Sequence, residues 1–390
     1  MPLRAGRALG ARVIPVYIIV AIACFGLFLH PYVTFPLSLR LMRARPVRKD
    51  ATARTPSATM LFSAYNEERT LPAKLHNIEE IRALHSDIAV LAYSDMSTDG
   101  TREMLLSRPD LLTLVPSTER TGKATGMRRM VAQADSDICI FTDANVILDP
   151  ASVARLLEYF RDPAIGGVSG TLRYINEADG VTASVGGLYW RLEEKIKALE
   201  SRCGSMMGAD GSIFATRRAL YPDVPPHLLD DMTASISVLF HGQRLISAPD
   251  VLAFEKTTTD ARDEFRRKRR IACRAFNTHR HLWPQIVRHF PAIDIYKYVS
   301  HKLLRWFGAP VLLIALISTT LAFLAAGLPW IAGALWIAGV LALLIGRVAR
   351  VPLLSPVTEI LLSIGATFLG VIDAMRGRTY QTWAPAKSRD

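Results

Sequence analysis

Cysteine is scarce and scattered. Cys24, Cys139, Cys203 and Cys273 are the only four in 390 residues. Their spacing is neither that of a disulfide framework nor that of a zinc site, so neither is expected. Acidic residues are also in short supply, 35 against 47 basic ones, which leaves a net charge of +12. Such an excess suits a nucleic acid or an anionic membrane surface. No zinc-finger, KH or RRM signature accompanies it. Many of the basic residues flank apolar stretches, where they would meet lipid headgroups, so membrane lipids are expected as partners and nucleic acid is not. Internal repeats and low-complexity tracts are missing too.

Charge itself is missing over long stretches. From Val13 to Leu39 only His30 can carry one, enough for a helix across a bilayer core that needs about 20 apolar residues. From Trp306 to Gly346 there is none, about twice that length, and Gly327-Leu328-Pro329 near the middle predicts a helical hairpin. A third stretch, Val351 to Ile372, is interrupted by Pro356 and Glu359. It is read equally as spanning, re-entrant or interfacial. No A-x-A-like cleavage site follows the first segment, so an uncleaved anchor is expected. Arg40, Arg43, Arg45, Arg48, Lys49 and Arg54 follow it, against Arg4, Arg7 and Arg12 in front. The positive-inside rule then puts the middle of the chain in the cytoplasm. The expected division is an anchor and basic linker over 1–50, a cytoplasmic domain over 57–290, and a membrane region of two to three helices over 296–390, in a multi-pass protein of the cell membrane.

Between these segments, short apolar runs alternate with helical patterns, the mark of an α/β domain around a mostly parallel sheet. Strands are predicted at "ATMLFSA", "DIAVLAYSD", "LLTLVPS" and "DICIFTDA", with helices over 69–84, 99–106, 123–133 and 150–160. In such sheets ligands collect beyond the carboxyl ends of the strands. Three of these ends carry polar sets: Tyr65-Asn66-Glu67-Glu68, Ser94-Asp95 and Asp143-Ala144-Asn145. Taken alone, the last triplet reads either as a turn, which Asp and Asn favour, or as two oxygen ligands for a hard cation. Several acidic strand ends on one sheet would gather carboxylates that repel unless a cation joins them.

The ordered motifs "SAYNEE", "SDMSTDGT", "GKATGMRRMVAQADSDICIFTDAN", "GADGSIFATRRALY", "LDDMTASISVLFHGQRLISAPDVLAFEKT" and "RRKRRI", with a closing "TWAPAKSR", resemble the membrane-integrated, processive family 2 glycosyltransferases, the branch of poly-N-acetylglucosamine, hyaluronan and cellulose synthases. The resemblance implies a GT-A-like, Rossmann-type nucleotide-sugar domain. It implies a UDP-sugar site at Tyr65, Glu67, Asp95, Lys123, Asp143 and Arg270, Mg²⁺ or Mn²⁺ held at Asp143 and Asn145, and Asp231 as the general base. Asp210 and Arg267 match the acceptor side. Three positions depart from the family pattern: Ser94 stands for a first acid, Met96 for a common Gly, and Ile271 for the Trp that would carry an acceptor sugar. Trp190 is a candidate substitute for that aromatic platform.

The residues also admit other readings. Lys123 is equally an exposed lysine at a helix start, Asp230 and Asp231 are equally helix caps, and the basic run Arg266 to Arg270 is equally a solvated face on headgroups. The expected function is an inverting transfer of sugar from a UDP-sugar to a glycan or lipid acceptor at the membrane, in cell-surface or exopolysaccharide synthesis, with room for export or synthase partner subunits. The alternatives are a non-processive lipid glycosyltransferase and a non-catalytic regulatory subunit that binds nucleotide sugar.

Overall fold

A computed structural model describes residues 2–48, 50, 52–349 and 351–382, with side chains from Val13 onward. The side chains of Arg4, Arg7 and Arg12, together with Lys49, residues 383–389 of the closing motif and Asp390, lie outside the described residues. The chain opens with α1 (Pro2–Leu29) and α2 (Thr34–Leu41). An α/β region follows: β1 (Ala58–Ala64), α3 (Leu71–Leu84), β2 (Ala89–Ser94), α4 (Thr101–Leu106), β3 (Thr113–Val115), α5 (Lys123–Gln133), β4 (Ile138–Asp143), β5 (Ile147–Leu148), α6 (Ser152–Tyr159), β6 (Ile165–Tyr174), α7 (Val181–Arg202), β7 (Ile213–Arg217), α8 (Asp230–Phe240) and β8 (Arg244–Glu255). Helices then take over: α9 (Ala261–His289), α10 (Ala292–Tyr298), a π-helical turn over Val299–Leu303, α11 (Leu304–Trp306), α12 (Gly308–Ala325), α13 (Pro329–Val348) and α14 (Leu354–Met375).

The eight strands form one sheet in the order β3-β2-β1-β4-β7-β6-β8-β5. The first four run parallel, and β7 joins β4 antiparallel. Successive residues of β1 are buried on both faces, as an apolar parallel strand requires. Met60 and Phe62 enter one core cluster and Leu61 the other. The parallel register brings Ala64 opposite Ser94 and Ser63 opposite Asp143. The three polar strand ends found in the sequence therefore share one edge.

The expected N-terminal anchor is not one straight span. Its two helices meet at 63°, and α2 buries Phe35 and Leu39 against Ile196 of α7 and Cys203 just after it. Pro329 begins α13, so the predicted turn at 327–329 is where α12 ends. α14 is continuous. Pro356 falls in its first turn, where no helical N–H is lost, and Glu359 lies 3.4 Å from Arg347 of α13. Among the described residues α12, α13 and α14 are each long and apolar enough to cross a membrane.

The basic run is only partly a solvated face. Arg267 bonds Glu264 at 2.8 and 3.0 Å, Lys268 bonds Ser363 at 2.8 Å, and Arg269 holds Asp373 bidentately at 2.6 and 2.9 Å. These side chains clamp α9 to itself and to α14. Gly370 lets the two helices meet, since a Cβ there would come within 2.3 Å of the Arg269 carbonyl oxygen. Arg266 stays exposed.

Two substitutions test this backbone. A Cβ at Gly126 would lie 2.3 Å from the buried ring of Tyr93, so Gly126→Ala should cost about 1–3 kcal/mol by overpacking, read as a lower thermal midpoint. Met96 has φ of +57°, a left-handed conformation that costs a side chain about 1–2 kcal/mol. Met96→Gly should therefore raise the midpoint, and a fall would show that the Met side chain contributes more than its strain.

Candidate active site

β4 ends on Asp143, and the bend after it closes by a bond from the Val146 N–H to the Asp143 carbonyl, 3.2 Å. That bend is fixed from below by α3. Lys74, fully buried, donates to the Val146 carbonyl at 2.7 Å and to Thr142 Oγ1 at 3.3 Å. Burial pushes its ammonium down to about 7, against the pull of Asp143. Asn77, one turn on, exchanges two 2.8 Å bonds with the backbone of Leu148. The sequence reading singled out neither residue. Their one signal is that both interrupt the helix face formed by Leu71, Leu75 and Ile78, all buried in the core.

Three charged side chains from separate elements converge on Gly211. A Cβ there would lie 2.8 Å from Lys123 Nζ and 3.4 Å from both Asp143 Oδ2 and Asp231 Oδ2. Lys123 begins α5 after Gly122, whose φ is +84°. Its side chain is 12 % exposed, not the exposed lysine of the alternative reading, and Nζ stands 2.6 Å from Asp143 Oδ1 and 3.7 Å from Asp230 Oδ2. Burial opposes the charge on this ammonium, yet Asp143, Asp230 and Asp231 hold it more firmly protonated than usual. Asp231 lies in the first turn of α8 and accepts from the neighbouring Met232 N–H at 2.7 Å. Burial, then repulsion from Asp230, raises its carboxyl to about 7, with Lys123 pulling the other way. Asp230 Oδ2 is buried with no hydrogen-bond partner among the described residues.

Asp210 precedes the converging point. It accepts from the Ser212 N–H at 3.1 Å and from Lys197 Nζ of α7 at 2.6 Å. Burial works against its charge, but Lys197 keeps the carboxyl below the usual range. Asn145 donates to Glu255 Oε1 at 2.9 Å, leaving its amide oxygen as the atom it can offer a cation. Arg267 is outside this cluster, paired with Glu264, although it feels the charge of Glu255. Arg270 is half-buried on the same helix.

At the neighbouring strand ends, Asp95 is buried and its carboxylate is engaged by the chain itself. Oδ1 accepts from the N–H groups of Thr121 and Gly122 at 2.8 and 3.0 Å, and Oδ2 from Gly122 at 3.0 Å. It fixes the loop that launches Lys123. Tyr65 carries the Arg120 guanidinium 3.7 Å above its ring, and Glu67 accepts from Thr70 Oγ1 at 2.7 Å. A small cavity lined by Ser94, Met96, Arg102 and Ser117 opens beside them. Gln381, far along the chain, donates to the Thr121 carbonyl at 3.0 Å. A Cβ on Gly122 would meet the Gln381 carbonyl oxygen at 2.4 Å.

The raised carboxyl of Asp231 makes a stability prediction. Between pH ~4, where the unfolded carboxyl releases its proton, and pH about 7, the folded protein holds a proton that the unfolded chain has lost. Stability therefore falls as pH rises through that window. Asp231→Asn, which cannot ionise, should gain on the wild type over the same window and level off above it. Each kcal/mol gained should raise the thermal midpoint by about 2–4 °C. An equal difference in midpoint at both ends of the window would refute the buried charge repulsion.

Comparison with known proteins places this geometry. Residues 60–224 match the Glycosyl transferase family 2 profile. A poly-beta-1,6-N-acetyl-D-glucosamine synthase of Staphylococcus aureus is 26 % identical over 183 residues, covering 46 % of this chain and 44 % of the relative. An N-acetylglucosaminyltransferase of Rhizobium leguminosarum bv. viciae is 26 % identical over 147 residues, 34 % of this chain and 35 % of that one. The chain thus aligns with less than half the length of these curated relatives. Among solved structures, the mannosyltransferase PcManGT of Pyrobaculum calidifontis, in complex with GDP-Man and Mn²⁺, superposes with a TM-score of 0.69 at 23 % identity, over 93 % of this chain and 99 % of that one. That likeness is one of fold. With the sheet, the converging site and the matched profile together, the chain carries a glycosyltransferase family 2 domain on a GT-A-like fold, followed by three apolar helices.

Proposed function

We propose that the chain is a membrane-integrated, inverting glycosyltransferase that moves a sugar from a UDP-sugar to a glycan or lipid acceptor. The observation that carries this is the convergence of Lys123, Asp143 and Asp231 on Gly211. A cation and a carboxylate on the donor side face a second carboxylate whose proton affinity is tuned to neutral pH, the value that suits a general base. Asp231 takes the proton of the acceptor hydroxyl while its oxygen bonds to the anomeric carbon. The bond from that carbon to the diphosphate breaks, and UDP leaves with the electron pair. Lys123 sits where it can meet the negative charge of the leaving diphosphate.

Asp143 and Asn145 offer only hard oxygen atoms, and Asp143 already faces a cation, so the donor set fits Mg²⁺ or Mn²⁺. A bound ion would supply Lewis-acid charge to the departing phosphates. Lys74 and Asn77 act by holding the bend that presents Asp143. The three apolar helices and the synthase relative support a place in the cell membrane, with the domain facing the cytoplasm by the positive-inside reading. Arg270, half-buried on α9, is the cation that the resemblance assigns to the diphosphate.

Transfer of labelled sugar from a panel of UDP-sugars, with GDP-mannose as the contrasting donor, tests the reading. Asp231→Asn should lower turnover by about 10²–10⁴-fold while keeping UDP affinity. Unchanged turnover would remove Asp231 as base, and binding of nucleotide sugar without turnover in the wild type would favour a regulatory subunit. Product length on a gel separates chain growth from single addition.

A further inference from the structure

Where the domain meets the membrane helices, a second group of buried charges has no part in the chemistry at Gly211. Glu193 of α7 is shared by three basic side chains. His301 in the π-helical turn lies 2.9 Å away, Lys302 lies 3.4 Å away, and Arg305 of α11 bonds the other carboxylate oxygen. Arg305 is 9 % exposed, and its Nε and Nη2 are buried without a hydrogen-bond partner among the described residues. Its guanidinium lies under two rings, 5.1 Å from the centroid of Tyr32 and 5.9 Å from that of Tyr189. Lys268 of α9 stands 5.3 Å from the same Tyr189 ring. Tyr189 therefore links two cations, and it is itself 39 % exposed.

Arg267, Lys268, Lys302 and Arg305 meet here, with Glu264 and Glu193 as their paired carboxylates and the charge of Glu255 also felt by Arg267. His301 also bonds Glu200, at 2.8 Å. The next carboxylate along α14, Glu359, is paired with Arg347. A buried guanidinium with two unused donors is costly unless an acceptor completes it. The fork of an arginine fits a phosphate bidentately. The site also adjoins the membrane segments. Tyr32 lies in the break between α1 and α2, Arg305 just precedes α12, and Lys268 bonds Ser363 within α14.

From this site α7 leads towards the base. Glu193 and Lys197 are one helical turn apart, about 6 Å along the axis. Lys197 bonds Asp210, which adjoins Gly211. Along the same turn Trp190 Nε1 and Glu194 Oε2 are buried without hydrogen-bond partners among the described residues, and the Trp190 ring lies 4.8 Å from Lys197 Nζ. These are an apolar ring face and polar atoms of the kind that sugar rings use.

We propose that Arg305, Lys268 and Lys302 form the seat for the phosphate of a lipid-linked acceptor, and that α7, through Trp190 and Glu194, guides the attached sugar to Asp231. The proposal rests on the glycosyltransferase reading for its sugar end, whereas the phosphate seat stands on its own geometry. The lipid chain leaves the seat between the apolar helices, and the phosphate is held a helical turn or more from the reacting hydroxyl. It is therefore an anchor and takes no part in bond making.

Equilibrium binding of labelled farnesyl phosphate to the purified full chain in detergent, with farnesol and inorganic phosphate as controls, tests the seat without relying on transfer. The wild type should hold farnesyl phosphate at least about tenfold more tightly than farnesol, the scale of one charge-assisted bond. Arg305→Gln should fall to the farnesol level, and Arg305→Lys should keep part of the difference. UDP affinity, measured alongside, should not change, so a failed donor site and a failed phosphate seat give different results. If Arg305→Gln does not fold, Lys268→Met serves as the second variant and should lose several-fold. Equal binding of farnesyl phosphate and farnesol would overturn the proposal. So would wild-type binding by the folded variants, displacement by inorganic phosphate at matching concentration, or equal competition by phosphatidic acid.

Discussion

The site depends on one ammonium group. Lys123 Nζ is the cation between Asp143 on β4 and the Asp230-Asp231 pair on α8. Without it three carboxylates would crowd one low-dielectric edge, and at least one would have to stay protonated. Its position is set from both sides. The Asp95 carboxylate gathers the N–H groups of Thr121 and Gly122 and so aims the start of α5, and the lack of a side chain at Gly211 leaves the space that the ammonium fills. An arriving diphosphate would replace carboxylate neighbours with phosphate oxygens around the same charge. Binding of donor and rearrangement of the acidic cluster are thereby coupled through a single side chain.

A second set of charges ties the domain to its helices. Arg269 and Asp373, with the close approach at Gly370, fix α9 along α14, and Glu193 collects cations from the turn that leads into α12. The carboxylates of these pairs, Asp373 and Glu193, are buried, so their geometry is held more firmly than that of surface ion pairs, which contribute little. α7 belongs to both sets. One face meets the membrane-side cations through Glu193, and Lys197 reaches Asp210 beside the converging point. A rigid helix thus relates the place where a membrane-borne acceptor would enter to the place where its hydroxyl would react.

Much of the architecture was legible because parallel strands buried on both faces are uninterrupted apolar runs, as in "TMLFSA" and "ICIFTD". The helix after each run, the turn at 327–329 and the acidic strand ends followed from the same periodicity. The roles of Lys74 and Asn77 were not legible. A lysine and an asparagine on a helix look like its solvent face, and only packing of α3 against the bend turns them inward. The bend between α1 and α2 was hidden for a similar reason. An apolar run long enough to span is also apolar enough to dock, and the choice was made by Ile196 and Cys203, far away in sequence.

The sequence by itself determined the alternating fold, the apolar helices and the residue types at the strand ends, since each depends on local periodicity and on charge along the chain. Tertiary structure decided which of those residues meet. It brought Lys123, Asp143 and Asp231 around Gly211, turned Asp95 towards the chain's own N–H groups, and spent Arg267 and Arg269 on Glu264 and Asp373. The physical reason is that charge pairing acts over a few ångströms in a low dielectric, and those distances are set by the sheet register and helix packing, not by spacing along the chain.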